Sequence, residues 1–497
     1  MISERRRLLR GTGWTLSSTV VAVIVGTVVN PVLVLYLGVP GYGIWASAVA
    51  LGSLFGLAGD LGVSGALTKF ISEREGTKEP VGSFTASALV FGTLAGGATG
   101  LGLAAIALVF HDYGGYTDFG LLLSLQALQM PFAMGSASLA GIFQGRRQFR
   151  QLALLTMFQS VLGLVLLILL LVGGQGLVGV MLASTLSSVI FFCTLLALNR
   201  KGIPLPAIAA IRRDFRKLIP FGIQLTATNA LSTVLYQVDV VILAFVTNNP
   251  MLVGTYALAV FVTRTFWIIP GSISTTTYPV TSQYAATNDW GRVSRYLSTA
   301  FIASVAIMGV LASGLILFGR PVLRVVFGPD SLGAYEISLI LLAGTGALGS
   351  LRSIASSMPG VGRPDIGLRI SAIGAVSLAF LALVLTEVAG VLGTALAVTI
   401  CFGLVAILLL RAIDRHVLGD NGTPLLSKRA LTTAVVAVLG AGICLIAGLP
   451  DAPAAAAIGG AGLLWGAIAA SLGIASGGRK TWGDVLHLPG GTLAERD

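Results

Sequence analysis

Of 497 residues, 55% are hydrophobic and 10% charged, and the mean hydropathy is +0.92. A soluble globular chain carries about a quarter charged residues, so no single water-soluble core hides this much apolar surface, and the bilayer is the solvent that fits. The net charge of +11 is spread between hydrophobic segments, where it reads as topology signal and contact with anionic lipid and not as a nucleic-acid surface.

Apolar runs long enough to cross roughly 30 Å of hydrocarbon as helices fall at 14–36, 43–67, 82–110, 118–144, 149–172, 176–198, 218–246, 251–281, 296–318, 334–358, 367–387, 390–411, 430–448 and 453–475. The expectation is an all-α polytopic membrane protein of about fourteen transmembrane helices. The first run is longer than a signal-peptide core and lacks a small-x-small cleavage pattern, so it reads as a retained span. With Arg5, Arg6, Arg7 and Arg10 inside, Lys69, Arg74 and Lys78, then Arg146, Arg147 and Arg150, then the linker "NRKGIPLPAIAAIRRDFRKLIP" fall on the same side, as do the later basic loops and the tail. Only Arg320 and Arg324, in "FGRPVLRVVFGPDSLGAYE", fall outside. They read as an interfacial element. This alternation predicts an even number of spans with both termini cytoplasmic, in the cell membrane.

The linker divides the chain. The expected organisation is an N-terminal six-helix lobe (1–200), a basic cytoplasmic linker (201–217), a C-terminal six-helix lobe (218–411), a cytoplasmic loop (412–429), two extra transmembrane helices (430–475) and a cytoplasmic tail (476–497). Internal similarity supports the division. "GIWASAVALGSLF" (43–55) lies over "GTYALAVFVTRTF" (254–266), pairing Gly43 with Gly254, Trp45 with Tyr256, Ala46 with Ala257, Ala48 with Ala259 and Phe55 with Phe266. Farther on, "QGRRQF" (144–149) resembles "VGRPDI" (361–366). Six spans per unit is an even number, so the repeats are parallel, an arrangement that frames a central cavity in some secondary transporters.

Catalytic signatures do not occur. There is no GxxxxGK[ST] and no HExxH, the histidines (His111, His416, His487) are scattered through loops and tail, and Cys193, Cys401 and Cys444 lie in apolar runs as small packing residues. The expectation is a transporter and not an enzyme, with no metal and no cofactor. "NGT" at 421–423 falls on an inside loop and carries no weight as a glycosylation acceptor.

Charges within spans are the candidate functional groups. Arg264 is the one charge between Asp239 and Asp289. About 18 Å down its span at 1.5 Å per residue, it would cost roughly 2.5–3.5 kcal/mol facing lipid. Two readings stay open: it points into a cavity toward an anion, or it pairs with Asp239 on the preceding span. Asp239 is accordingly a candidate counter-ion or coupling carboxylate. Arg352, in "GSLRSIASS", either lines the cavity or snorkels to lipid phosphate. Asp60 and Lys69, in "AGDLGVSGALTKFIS", lie near an inner helix end; Asp60 is a second candidate carboxylate and Lys69 a candidate interfacial or cavity cation. Pro31, Pro131, Pro270 and Pro279 are candidate helix breaks.

Several stretches have the look of a known family. "LGVPGYGIWASAVALGSLFGLAGDLGVSGALTKFISE", through Leu37-Gly38, Tyr42-Gly43, Asp60-Leu61-Gly62 and Lys69 to Ser72, resembles the polysaccharide-transport (O-antigen type) flippases of the multidrug/oligosaccharidyl-lipid/polysaccharide exporter superfamily. "VDVVIL", "VGTYALAV", the Pro279 region and "VVFGPDSLGAYEISLILL" continue the likeness over about the first 410 residues. The resemblance implies a two-lobed bundle with a central cavity that turns a polyprenyl-phosphate- or diphosphate-linked oligosaccharide from the cytoplasmic to the outer leaflet by alternating access. On that account Arg264 binds the headgroup phosphate and Arg352 hands it on, with membrane lipids and glycan-assembly membrane enzymes as further partners. Relatives often have twelve spans, and the pair at 430–475 departs from that. Two alternatives stand beside it. One is a cation-coupled multidrug exporter of the same superfamily, which calls for buried carboxylates that are scarce here; the other is a non-transporting membrane scaffold of a glycan-assembly complex.

Overall fold

The computed structural model describes residues 2–60, 66–68, 70–71, 82–146, 148–199 and 230–418. The described residues are helical almost throughout, with one isolated bridge between Tyr113 and Tyr116. In chain order the helices are α1 (Ile2–Asp60), α2 (Gly82–Val109), α3 (Phe119–Gly145), α4 (Phe149–Val172), α5 (Gly176–Asn199), α6 (Ala230–Thr247), α7 (Pro250–Thr265), α8 (Ile268–Ala286), α9 (Trp290–Phe327), α10 (Gly333–Ala355) and α11 (Pro364–Ile413). The linker, the span pair 430–475 and the tail lie outside the described residues.

The two longest of these helices are each divided at a glycine. α1 breaks at Gly38 (φ 69°) and α11 at Gly390 (φ 57°), backbone angles that a side chain would oppose. Counted at these breaks, among the described residues the named helices up to Asn199 make six segments (α1 twice, α2 to α5). Six more follow Ala230: α6, the bent pair α7–α8, α9, α10 and α11 twice. Pro31 and Pro131 sit inside continuous helix and break nothing. α9 runs on through Pro321 to Phe327, so Arg320 and Arg324 are carried on helix and not on a loop, with the Arg320 Cζ 5.1 Å above the Tyr335 ring.

By contacts the chain gathers into two units. One holds the described residues up to Ala257 with Val326–Ser331 and Leu378–Val391; the other holds Leu258–Val325, Leu332–Ser377 and the described residues from Leu392 on. In the first, Leu67, Ile71, Phe91, Leu139, Ile142, Phe143, Phe191 and Leu195 form a buried cluster. Around it, small and polar residues bring backbones together as they do in lipid. A Cβ on Gly96 or Gly100 of α2 would lie 2.7 Å from the Met130 carbonyl oxygen or 2.5 Å from that of Ala127. Gln129 donates to Ser188 Oγ at 2.9 Å, tying α3 to α5. In the second unit, Leu315, Ile316 and Leu342 pack with Val262, Phe266 and Leu339. There Thr399 donates to the Ile340 carbonyl at 2.8 Å, and Gly344 lies against the Thr399 backbone.

Much of the surface of these helices is apolar. Leu94, Leu101 and Leu108 of α2 are 65%, 74% and 84% exposed at seven-residue spacing, one face of one helix. Eight helices are long and apolar enough to cross a bilayer among the described residues, nine when the bent pair counts as one. This is a multi-pass membrane protein.

The sequence repeat reappears as contact within the first unit. A Cβ on Gly43 would lie 2.0 Å from the Pro250 carbonyl oxygen and 2.6 Å from the Gly254 nitrogen, and a Cβ on Gly254 would lie 2.0 Å from the Val39 carbonyl oxygen. Val39 stands four residues before Gly43, as Pro250 stands four before Gly254. The paired glycines therefore face one another across a local twofold, where only hydrogen side chains fit.

Candidate functional site

The run expected as one span over 251–281 is two half-helices, bent by 47° between α7 and α8. Pro270 supplies the cause. It has no N–H to offer the Phe266 carbonyl, and its ring crowds that carbonyl out of line. The chain tightens instead: Trp267 donates to the Arg264 carbonyl at 3.0 Å, a three-residue step, before Gly271 resumes the helix by donating to Trp267 at 2.8 Å. Arg264 thus sits in the last turn of α7, where the aligned carbonyls make the negative end of the helix and favour a cation. The positive end of α8 begins three to four residues later. A broken helix with charge at its break is a common way for membrane transporters to bind ions.

Arg264 and Arg352, 88 residues apart, meet on one indole inside the second unit. The Trp267 ring lies 5.8 Å from the Arg264 Cζ and 4.9 Å from the Arg352 Cζ, and Arg264 also stands 5.8 Å from the Phe402 ring. Both arginine residues are half-buried. At such sites a cation over an aromatic face gains about 0.5–2 kcal/mol. The indole is fixed from three sides. Its Nε1 donates to the Thr345 carbonyl at 2.8 Å, and Phe402 lies against it at 5.8 Å between ring centroids. Gly349 makes room, since a Cβ there would come within 2.6 Å of Cδ1 and Nε1. Sequence reasoning missed Trp267 and Phe402. The available signal was an aromatic residue one turn beyond Arg264 in "RTFW"; nothing local marked Phe402.

Asp239 lies in the first unit, fully buried, and accepts from the Tyr256 hydroxyl at 2.7 Å, joining α6 to α7. Asp60 is the last residue of α1, but its side chain lies outside what is described, as does all of Lys69. Among the described residues no group of three or more His, Cys, Asp or Glu side chains is gathered as metal ligands would be.

Comparison with known proteins agrees with this architecture. The probable low-salt glycan biosynthesis flippase of Haloferax volcanii is 26% identical over 157 residues, 31% of this chain and 33% of that one, so the match spans about a third of the relative's length. Among solved structures, the lipid II flippase MurJ in an inward closed conformation superposes with a TM-score of 0.68 at 15% identity, over 96% of this chain and all of that one. The eukaryotic MATE transporter AtDTX14 does so at 0.57 and 16% identity, over 87% of this chain and all of that one. Identities this low establish a shared fold. The family model described as polysaccharide biosynthesis protein matches residues 8–285, more than half of the chain, and the protein belongs to that family.

Proposed function

We propose that this protein is a flippase that carries a polyprenyl-phosphate- or diphosphate-linked oligosaccharide from the cytoplasmic to the outer leaflet by alternating access. The observation that carries the reading is the pair of guanidiniums held on Trp267 at a helix break. A phosphate leaving water needs its hydration replaced, and arginine does so with forked, charge-assisted hydrogen bonds. Arg264 and Arg352 supply two such forks, and the N-terminal end of α8 adds a dipole of the same sign. Family membership and the fold shared with a lipid II flippase support the choice of cargo. MATE transporters share the fold less closely, at a TM-score of 0.57 for AtDTX14, and two cations at the site repel the cationic drug that a cation-coupled multidrug exporter would carry. The cell membrane, cytoplasmic termini and glycan-assembly enzymes as neighbours belong to the same proposal.

The test is glycan export in cells, with membrane abundance measured in parallel. Arg264→Ala should lower export by about 10- to 100-fold, the loss expected for one charge-assisted hydrogen-bonding partner, with abundance near normal. Arg264→Lys should retain part of the activity, keeping the charge and losing the fork, and Arg352→Ala should behave like Arg264→Ala. Normal export by Arg264→Ala would remove the headgroup role.

A further inference from the structure

α8 differs from its neighbours in what it exposes. In the second unit the middle stretches of other helices open apolar side chains, Phe318 on α9 and Val376 and Ile400 on α11, while their charged exposed residues, such as Arg292 and Arg295 on α9 and Arg369 on α11, lie toward the helix ends. The apolar ones suit acyl chains. α8 contains no Asp, Glu, Lys or Arg, yet past Ile268 and Ile269 most of its exposed positions are polar: Ser272, Thr275, Thr276, Ser282 and Gln283, with Tyr278, Pro279 and Ala286 open beside them. The polar positions fall at three-, four- and seven-residue spacing and share one face with Pro279 between them, about 16 Å long at 1.5 Å per residue. The opposite face is bound into the unit: Thr277 is buried and donates to the Ser353 carbonyl at 2.7 Å, and Ser274 bonds to Ser356 at 3.1 Å. A Cβ on Gly360 would meet the Tyr278 carbonyl oxygen at 3.1 Å. One side of α8 is therefore fixed, and the other carries hydroxyl and amide groups on either side of Pro279.

The hydroxyls on that row are pre-oriented. Ser272 donates to the Ile268 carbonyl, Thr275 to that of Ser272 and Thr276 to that of Ile273, at 2.7–2.9 Å. Tyr296 of α9 shares a 2.9 Å hydrogen bond with Thr276. A hydroxyl that donates to its own helix still has lone pairs to accept with. Such a row accepts from sugar hydroxyls and gives a charged ligand nothing to pair with. It also begins five residues beyond Trp267, the indole that carries both arginines.

We propose that the open face of α8, centred on Thr275 and Thr276, is the subsite for the neutral saccharide of the lipid-linked substrate. This rests on the flippase reading, with the phosphate on Arg264 and Arg352 and the sugars running along α8 from there.

Binding to purified protein in detergent tests it, with two probes: polyprenyl monophosphate, and the same lipid bearing a neutral oligosaccharide. The wild type should bind the glycosylated lipid more tightly. The double change Thr275→Val and Thr276→Val keeps side-chain shape and removes both hydroxyls. It should weaken the glycosylated lipid about tenfold, the worth of one to two neutral hydrogen bonds, and leave the bare lipid phosphate within about twofold. Thr275→Ser with Thr276→Ser keeps the hydroxyls and should bind as wild type, which separates lost hydrogen bonds from lost fold. Arg264→Ala should weaken both probes alike. Equal loss of both probes in the valine variant, or no loss of either, overturns the subsite, as does a wild type that cannot tell the probes apart. A wild type that binds neither probe defeats the phosphate reading itself, and this inference falls with it.

Discussion

Residues 43–55 and 254–266 begin alike and end differently. Both start at a glycine buried against the other's backbone, and both continue with the same small residues, Ala46 and Ala48 in one and Ala257 and Ala259 in the other. α1 then runs on as helix to Asp60, whereas α7 stops at Thr265 and the chain bends. Extending the same register puts Ser53 opposite Arg264, Gly56 opposite Trp267 and Gly59 opposite Pro270. The cation, its aromatic platform and the residue that breaks the helix all occur in one copy. A duplicated scaffold explains the helices and their crossing; the chemistry is built on one side of it. Repeat symmetry is therefore a good guide to where backbones touch and a poor one to where the proposed headgroup site lies.

The crossing is the part most easily broken. Gly254→Val would put a branched side chain 2.0 Å from the Val39 carbonyl oxygen, against backbone that cannot swing aside. Overpacking of this kind costs about 3 kcal/mol, read as a lower thermal transition in detergent and poor accumulation in the membrane. Stability within about 0.5 kcal/mol of wild type would mean that the two copies do not meet so closely. Gly43→Val should do the same, because its Cβ meets the Pro250 carbonyl oxygen at the same 2.0 Å.

The bend should respond in activity more than in stability. Pro270→Ala restores an N–H to the Phe266 carbonyl and removes the clash, so α7 and α8 should straighten and carry Trp267 away from its anchor on Thr345. The expected result is export lowered about tenfold or more, as small misplacements of binding groups cost, with a thermal transition equal to or above that of wild type. A variant that straightens by spectroscopic distance measurement and exports normally would show that the bend is not needed to present Arg264 and Arg352.

How much of this could be read beforehand follows from what each feature depends on. Spans were legible because crossing a bilayer demands about 20 apolar residues in a row, and α4, α5 and α10 fall within a few residues of the expected runs. The repeat was legible because a backbone crossing leaves small residues as its trace. The bend was not. Proline is tolerated in membrane helices, as Pro31, Pro131 and Pro279 are here, and only the surroundings decide which one opens the hydrogen-bond ladder. Arg264 stood out as a lone charge, but its meeting with Arg352 is tertiary: it requires α7 and α10 to share Trp267 and Gly349 to be too small to block it. The polar face of α8 was hidden for another reason. No charge marks it, and which of its serines and threonines stay open is decided by packing against α10.

The smallest change asks whether the first copy keeps a vestige of the site. Gly56, the counterpart of Trp267, lies inside α1, where a Cβ would rest 3.6 Å from Met134 Cε and 3.9 Å from Met130 Sδ. These are ordinary contacts with flexible side chains, and no positive φ is required there. Gly56→Ala should therefore stabilise the fold by about 0.4–1 kcal/mol, because alanine loses less backbone freedom on folding, and leave export unchanged. A gain in the thermal transition with export intact confines the binding chemistry to the second copy. Export that falls while stability rises would mean that α1 needs its flexibility at Gly56 during the transport cycle, and the two copies would then be less different in motion than they are in this structure.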